Sequence, residues 1–482
     1  MRVLPHGWVM ATLQDVASWS SGGTPKTGTA AYYGGDIPWA VIGDLNDARV
    51  VRTASSISAA GLAKSSAKVV PANTTLIAMY GASIGKLGIA ALPMATNQAI
   101  ACAEPFAGLA SRWLFWWLRA CRQDLRDAGK GGAQPNISQG VLRSWPIPIA
   151  PSAEQERIVT AIEEAFSKLD AGEAALRATR QRLKRLRESV LAAAVTGRLV
   201  PQDPTDEPAS KLLAQLGTAP CDSEGLPELP HLWEWARLGA MGDVVGGVTK
   251  DAKRQGDAGF IEVPYLRVAN VQRGFLDLGT VATIRVSVAA AHKLALIDGD
   301  VLFNEGGDRD KLGRGWVWEG QVPGCIHQNH VFRCRLAGGM QPKLASWWGN
   351  SFGKVWFETH GKQTTNLASL NMTTLKSFPI PVAPVNEQER IVAAVEYQFS
   401  FIEACERTVD AGLVRSAAMR RSILKAAFEG RLVTQDPSEE PAPVLLERLR
   451  AERDAIGKTT KPRRTQRPHA LASTAGLVAE RD

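Results

Sequence analysis

The sequence predicts a mixed α+β fold. Two globular α/β parts are joined and separated by two long helices, and the whole is an internal repeat with pseudo-twofold character. Three observations predict it. "WPIPIAPSAEQERIVTAIEEAF" from Trp145 returns as "FPIPVAPVNEQERIVAAVEYQF" from Phe378. Each copy opens a run of apolar residues at helical and partly heptad spacing. The stretches before both copies mix short strand-like runs with glycine-rich turns. A repeat this long is a duplicated domain pair rather than a solenoid.

Residues 1–144 form the first globular part. "IPWAVIG" from Ile37 reads as a strand and "RWLFWWLRACRQDLRDAG" from Arg112 as helical. Residues 145–224 form the first helical region. Its apolar positions are Ile158, Ile162, Phe166, Leu169, Leu176, Leu183, Leu186 and Val190, and four of them, Leu169, Leu176, Leu183 and Val190, recur every seven residues. Sevenfold spacing over several turns predicts a coiled-coil seam. Pro148 and Pro151 precede this helix and Gly197 stands where it can stop. About 45 residues at 1.5 Å each give a rod of roughly 65 Å.

Residues 225–377 form the second globular part, with "VPYLRVANV" from Val263 as a strand and "KLASWWGNSFGKVWFETHG" from Lys343 as helical. Residues 378–457 repeat the helical region. Ile391, Val395, Phe399, Ile402, Val409, Met419 and Ile423 hold the same register, and Ser416 interrupts it. Equal length and matching register favour packing of the two helices against each other. The tail, 458–482, is basic, polar and proline-containing, so it is expected to be disordered.

The repeat extends beyond the helices. "GRLVPQDPTDEPASKLLAQL" from Gly197 returns as "GRLVTQDPSEEPAPVLLERL" from Gly430, so 145–216 aligns with 378–449 without a gap. Upstream the echo weakens. "LPHGWVMATL" from Leu4 matches "LPHLWEWARL" from Leu229, and "GGTPK" from Gly22 matches "GGVTK" from Gly246. "GKLG" from Gly85 matches "DKLG" from Asp310, and "GGAQPNIS" from Gly131 matches "GKQTTNLA" from Gly361.

The chain has 482 residues, 45% hydrophobic and 22% charged, with a net charge of +8. Such a length calls for two to four domains. The positive balance favours a polyanionic partner, because Lys and Arg neutralise phosphates and release counterions. No apolar run suits a signal peptide or a bilayer span. Six cysteines in so long a chain do not make a disulfide framework. The expected location is a reducing cytoplasm.

Enzyme motifs fail one by one. "GASIGK" at 81–86 has three residues between its glycines where a phosphate loop needs four, and Leu87 follows the lysine where Ser or Thr is needed. A turn between strands is expected. Cys325, His327, His330 and Cys334 are metal-capable, but their spacing fits no common zinc pattern and the first copy lacks them, so ordinary strand residues are expected. There is no Gly-x-Ser-x-Gly elbow, no His-Glu-x-x-His and no Pro-Pro methyltransferase motif. The missing chemistry points to recognition or scaffolding.

The ordered combination of "LPHGW", "GGTPKTGTAAYYGGDIPW", "GGAQPNIS" and the twice-used "EQERIV" and "GRLV" resembles the specificity subunit of type I restriction–modification systems, over residues 4 to about 450. The second half departs from the family pattern at "GGVTKDAKRQ" and "GKQTTNLA". The resemblance implies two target recognition domains, each reading half of a bipartite, asymmetric site on double-stranded DNA. It implies antiparallel pairing of the two helices, which set the spacer. It implies two methyltransferase subunits bringing S-adenosylmethionine, and restriction/translocase subunits bringing ATP and Mg. This chain would be non-catalytic and bind no cofactor or metal of its own. The spacer residues would be Leu169, Leu176, Leu183, Val190, Ile402, Val409 and Ile423. Glycine-flanked loops are the candidate DNA-facing elements. They offer Lys26, Lys86, Gln134 and Asn136 in the first half, and Lys250, Arg309, Lys311, Arg314, Lys362 and Gln363 in the second. The competing reading from another class is a protein-interaction scaffold without sequence-specific DNA contact.

Overall fold

The computed structural model of the chain describes residues 4–129, 135–251, 254–307, 311–363 and 368–459. It has mixed α/β architecture and divides into two units. One comprises 1–175 with 412–482, the other 176–411. Each is therefore assembled from segments of both sequence repeats.

In the first unit a five-stranded sheet runs in the order Ala17–Ser21, Ile100–Pro105, Thr75–Ala78, Leu87–Ala90, Ala48–Val50. A four-stranded sheet, Ser55–Ile57, Tyr33–Ala40, Met94–Thr96, Val69–Val70, contains one parallel pair, Trp39 beside Ala95. The apolar window after Arg112 is the helix Ser111–Ala120, whose Trp113, Leu114 and Leu118 are fully buried. A second short helix, Arg122–Ala128, follows it. Burying each such large apolar side chain contributes about 1.5–3 kcal/mol. The second unit repeats the plan. Gly242–Gly246, Val331–Leu336, Val301–Asn304 and Gly315–Val317 form one sheet, and Ala282–Ser287, Phe260–Leu266 and Ile326–His327 another. The helices Pro342–Asn350 and Phe352–His360 supply the equivalent apolar layer.

The two long helices run over Ser152–Val195 and Val385–Phe428, 44 residues each. In the first unit Arg420 pairs with Asp170 and Glu173 near the middle of the first helix. In the second unit Arg180 pairs with Asp410, and Arg187 with Glu403 and Glu406. Position rises along one helix as it falls along the other. Leu183, Val190, Ile402 and Val409 are buried, whereas Leu169, Leu176 and Ile423 are half-buried. Two members of the apolar stripe point outward: Leu186 is 40% and Met419 46% exposed. Ser416, the apparent interruption, is buried and donates its hydroxyl to Glu173 Oε1 at 2.6 Å.

Both helices end in the same way. Gly197 and Gly430 have φ of 66° and 65°, the left-handed region open to glycine. Arg198 N–H donates to Ala193 O at 2.8 Å, and Arg431 N–H to Ala426 O at 2.9 Å, closing the Schellman ring that satisfies end carbonyls. A Cβ on either glycine would also strike a proline, Pro230 at 2.4 Å or Pro5 at 2.3 Å.

The repeated words of the sequence meet around a buried carboxylate. In the first unit Trp8 Nε1 donates to Glu154 at 3.0 Å, Gln435 donates to its other oxygen, and Arg157 pairs with Glu439. In the second, Trp233 Nε1 donates to Glu387 at 3.0 Å, Gln202 donates to the other oxygen, and Arg390 pairs with Asp206. So "EQER" of one repeat is completed by "GRLV…QD" of the other. The first unit is further tied by Arg450 and Arg453 on Asp15, from the helix Ala442–Thr459.

Candidate nucleic-acid interface

One set of loops in each unit is built on the same backbone plan. In the first, the strand Ala17–Ser21 ends in Gly22 and Gly23. A Cβ on Gly22 would lie 1.9 Å from Thr96 O, so only glycine lets the chain pass. Gly23 N–H donates to Thr96 O at 2.9 Å, and Trp39 Nε1 to Gly23 O at 3.0 Å. Thr24 bonds Gln98. Lys26 follows, exposed.

Next to it, Met79 N–H donates to Ala99 O and Ile137 N–H to Met79 O, both at 2.9 Å. Tyr80 bridges Asn136, and Gly81 N–H donates to Pro135 O at 2.8 Å. The stretch 81–86 connects the strands Thr75–Ala78 and Leu87–Ala90 through a 3₁₀ turn at Gly81–Ser83. Gly85, at φ 78°, donates to Ala78 O. Arg122 Nε donates to Gly85 O at 2.8 Å while its guanidinium holds Asp47. Burial opposes the Asp47 carboxylate, but Arg122 holds its pKa below the usual range. The Lys86 and Asn136 loops are thus brought together, with Gln98 between them and the Lys26 loop. Gln98 and Tyr80, the latter 40% exposed, stand on this surface although neither carries a sequence signal. Gln134 lies outside the described residues.

In the second unit a Cβ on Gly247 would lie 2.0 Å from His327 O, and Val248 N–H donates to that oxygen at 2.9 Å. Glu305 N–H donates to His330 O at 2.9 Å, and Leu370 N–H to Glu305 O at 2.6 Å. Gly313, at φ 61°, donates to Asn304 O. Lys250 is exposed, and Lys311 and Arg314 are half-buried. Lys362 and Gln363 lie on a short strand beside Ala368–Ser369, which also pairs with Gly306–Gly307. Arg309 lies outside the described residues.

These bonds correct three of the upstream echoes. Gly22 is matched by Gly247, not Gly246, so Lys26 corresponds to Asp251 and Lys250 to Pro25. Ala78 N–H donates to Lys86 O and Asn304 N–H to Arg314 O, so Lys86 corresponds to Arg314 rather than to Lys311. Tyr80 pairs with Asn136 and Gly306 with Ser369, so Asn136 corresponds to Ser369 rather than to Asn366. Insertions in the exposed loops shift the count, whereas the ladder bonds fix the true register.

The cluster Cys325, His327, His330 and Cys334 disperses. His327 is buried, with Nδ1 2.6 Å from Val331 O, and burial pushes its pKa down to about 4. Burial pushes the Cys325 and Cys334 thiols up to about 12, away from the thiolate a metal needs. His330 turns to Glu305. Among the described residues no group of three or more such side chains is placed to hold a metal ion. Nor is any described helix long and apolar enough to cross a membrane.

Residues 5–179 match the model of the type I restriction modification DNA specificity domain. The chain is 26% identical to the type I restriction enzyme StySPI specificity subunit of Salmonella potsdam over 475 residues, covering 94% of this chain and 97% of that protein. It is 25% identical to the EcoKI specificity subunit of Escherichia coli K12, again over 94% and 97%. Among solved structures, a chain from the assembly of a type I R-M system superposes with a TM-score of 0.66 at 17% identity, over 89% of this chain and 99% of that one. The HsdS subunit from Thermoanaerobacter tengcongensis gives 0.54 at 18% identity, over 89% and 98%. At such identities the superpositions speak for the fold alone.

Proposed function

We infer that this chain, a type I restriction–modification specificity subunit, gives its complex the choice of DNA sequence. Each unit is a target recognition domain for one half of a bipartite, asymmetric site. One observation carries this reading best: the same backbone plan occurs twice, with different side chains on its loops. A shared frame with unlike loops is what reading two unlike sequences requires. Two identical subunits would read a palindrome instead.

The antiparallel long helices act as the ruler between half-sites. They dock two methyltransferase subunits, with restriction/translocase subunits joining the complex. S-adenosylmethionine, ATP and Mg belong to those partners, and this chain positions DNA without catalysing. Its basic loops, with Lys26, Lys86 and Asn136 in one unit and Lys250, Lys311 and Arg314 in the other, meet the phosphates and groove edges. The positive balance of the whole chain supports such contacts.

The test is DNA binding by the chain with its methyltransferase subunits at two salt concentrations, followed by mapping of methylated sites. The expected result is binding that falls steeply with salt and methylation of one bipartite motif. Weak binding with no motif would return the scaffold reading.

A further inference from the structure

We propose that Glu305, held in place by His330, selects a cytosine in the half-site read by the second unit. The proposal rests on the function inferred above and deepens it.

The argument begins with the shared frame. Glu305 occupies the backbone position that Met79 occupies in the first unit, and His330 that of Ala99. The same two ladder bonds define both places. The fold therefore does not need a charged pair there, since an apolar pair completes it elsewhere. Met79 is 5% exposed, whereas the side chains of Glu305 and His330 are 27% and 54% exposed. The charge faces the loop surface.

The geometry fixes what the pair can offer. His330 Nδ1 contacts Glu305 Oε2, and Asn329 Nδ2 lies 3.3 Å from His330 Nε2. With the amide donating to Nε2, the proton sits on Nδ1 and donates to the carboxylate. His330 is thus a positioning residue. Glu305 Oε1 has no hydrogen bond from any described residue and remains an acceptor.

A carboxylate repels phosphate, so it adds nothing to non-specific affinity. Its use is discrimination. In the major groove only cytosine N4 and adenine N6 donate, and adenine sets the N7 acceptor beside its amine. A carboxylate has no donor for that N7, whereas a glutamine has one. Acceptor-only chemistry therefore favours cytosine.

The experiment uses the chain with its methyltransferase subunits and maps methylated sites for the parent, Glu305→Gln and His330→Gln. Glu305→Gln is expected to shift one position of one half-site from cytosine towards adenine, by about tenfold in relative preference, with the other half-site unchanged. His330→Gln is expected to keep the cytosine but narrow its margin. An unchanged motif at full activity in Glu305→Gln overturns the assignment. Should methylation be lost, binding of the purified complex to a series of single-base substitutions decides. Loss of discrimination at one cytosine supports the assignment, and uniform weakening across all bases overturns it. A parent that methylates no bipartite motif refutes the inferred function itself rather than the role of Glu305.

Discussion

Glu154 and Asp15 are both buried acids of the first unit, and they respond to pH in opposite senses. Burial pushes the Glu154 carboxyl above its ordinary 4.5, against the bonds from Trp8 and Gln435. Glu387 is raised for the same reason, against Trp233 and Gln202. A raised folded pKa means that the native state binds the proton more tightly. This stabilisation is full below the unfolded value and is lost as pH rises through the folded one. Replacing both glutamates by glutamine removes the titration. The melting temperature of the double variant should therefore gain on the parent's as pH rises above the ordinary carboxylate value of 4.5. Parallel melting curves would show that neither group carries the effect. For Asp15, burial also opposes the charge, but bonds from Thr12 and Arg450 hold its pKa below 3.8. Its contribution is present above the unfolded value and lost as pH falls through the folded one. Asp15→Asn should cost roughly 1–3 kcal/mol near neutral pH, and the deficit should shrink in acid. Denaturant unfolding at several pH values checks this.

The long helices carry the next prediction. Their ion pairs run in opposite directions, with Arg420 meeting Asp170, Arg180 meeting Asp410 and Arg187 meeting Glu403. An insertion in one helix alone would leave its neighbour out of step. Four residues after Leu176, matched by four after Val414, keep the pairs on both sides of the insertion. Four residues add about 6 Å of helix, close to two base pairs, and shift the apolar stripe only slightly. The methylated spacer should lengthen by about one or two base pairs. Methylation mapping reads it directly, and an active variant with the parental spacer would remove the helices from the role of ruler.

For the molecule as a whole, the completion of each "EQER" by the other repeat bears on portability. The first globular part, 1–144, invites exchange as one piece. Yet Trp8 serves Glu154, Asp15 holds Arg450 and Arg453, and Ala442 N–H donates to Gly7 O at 2.8 Å. Exchanging 1–144 for the segment of a similar subunit breaks these ties unless the donor preserves them. Exchanging 17–144 leaves them intact. The shorter exchange should change one half of the methylated motif, and a change in both halves would mean that the units do not read independently.

The sequence carried the architecture because periodicity and repetition are local and additive. Heptads predicted two long helices near their observed length, and "EQER" and "GRLV" marked the duplication. It also carried the helix stops, since the left-handed turns at Gly197 and Gly430 leave little choice of residue. Three-dimensional pairing was needed wherever a distant partner sets the meaning of a residue. Ser416 read as a flaw in a stripe until Glu173 was found opposite it. The repeated motifs gave no sign that each is completed by the other copy. Lys86 was matched to Lys311 by similar letters, but the bond from Asn304 N–H to Arg314 O assigns it to Arg314. Glu305 and His330 carried no signal as a pair, because 25 residues separate them and a backbone ladder brings them together. Letters report local preference, whereas register between strands depends on hydrogen bonds that close across loops of variable length.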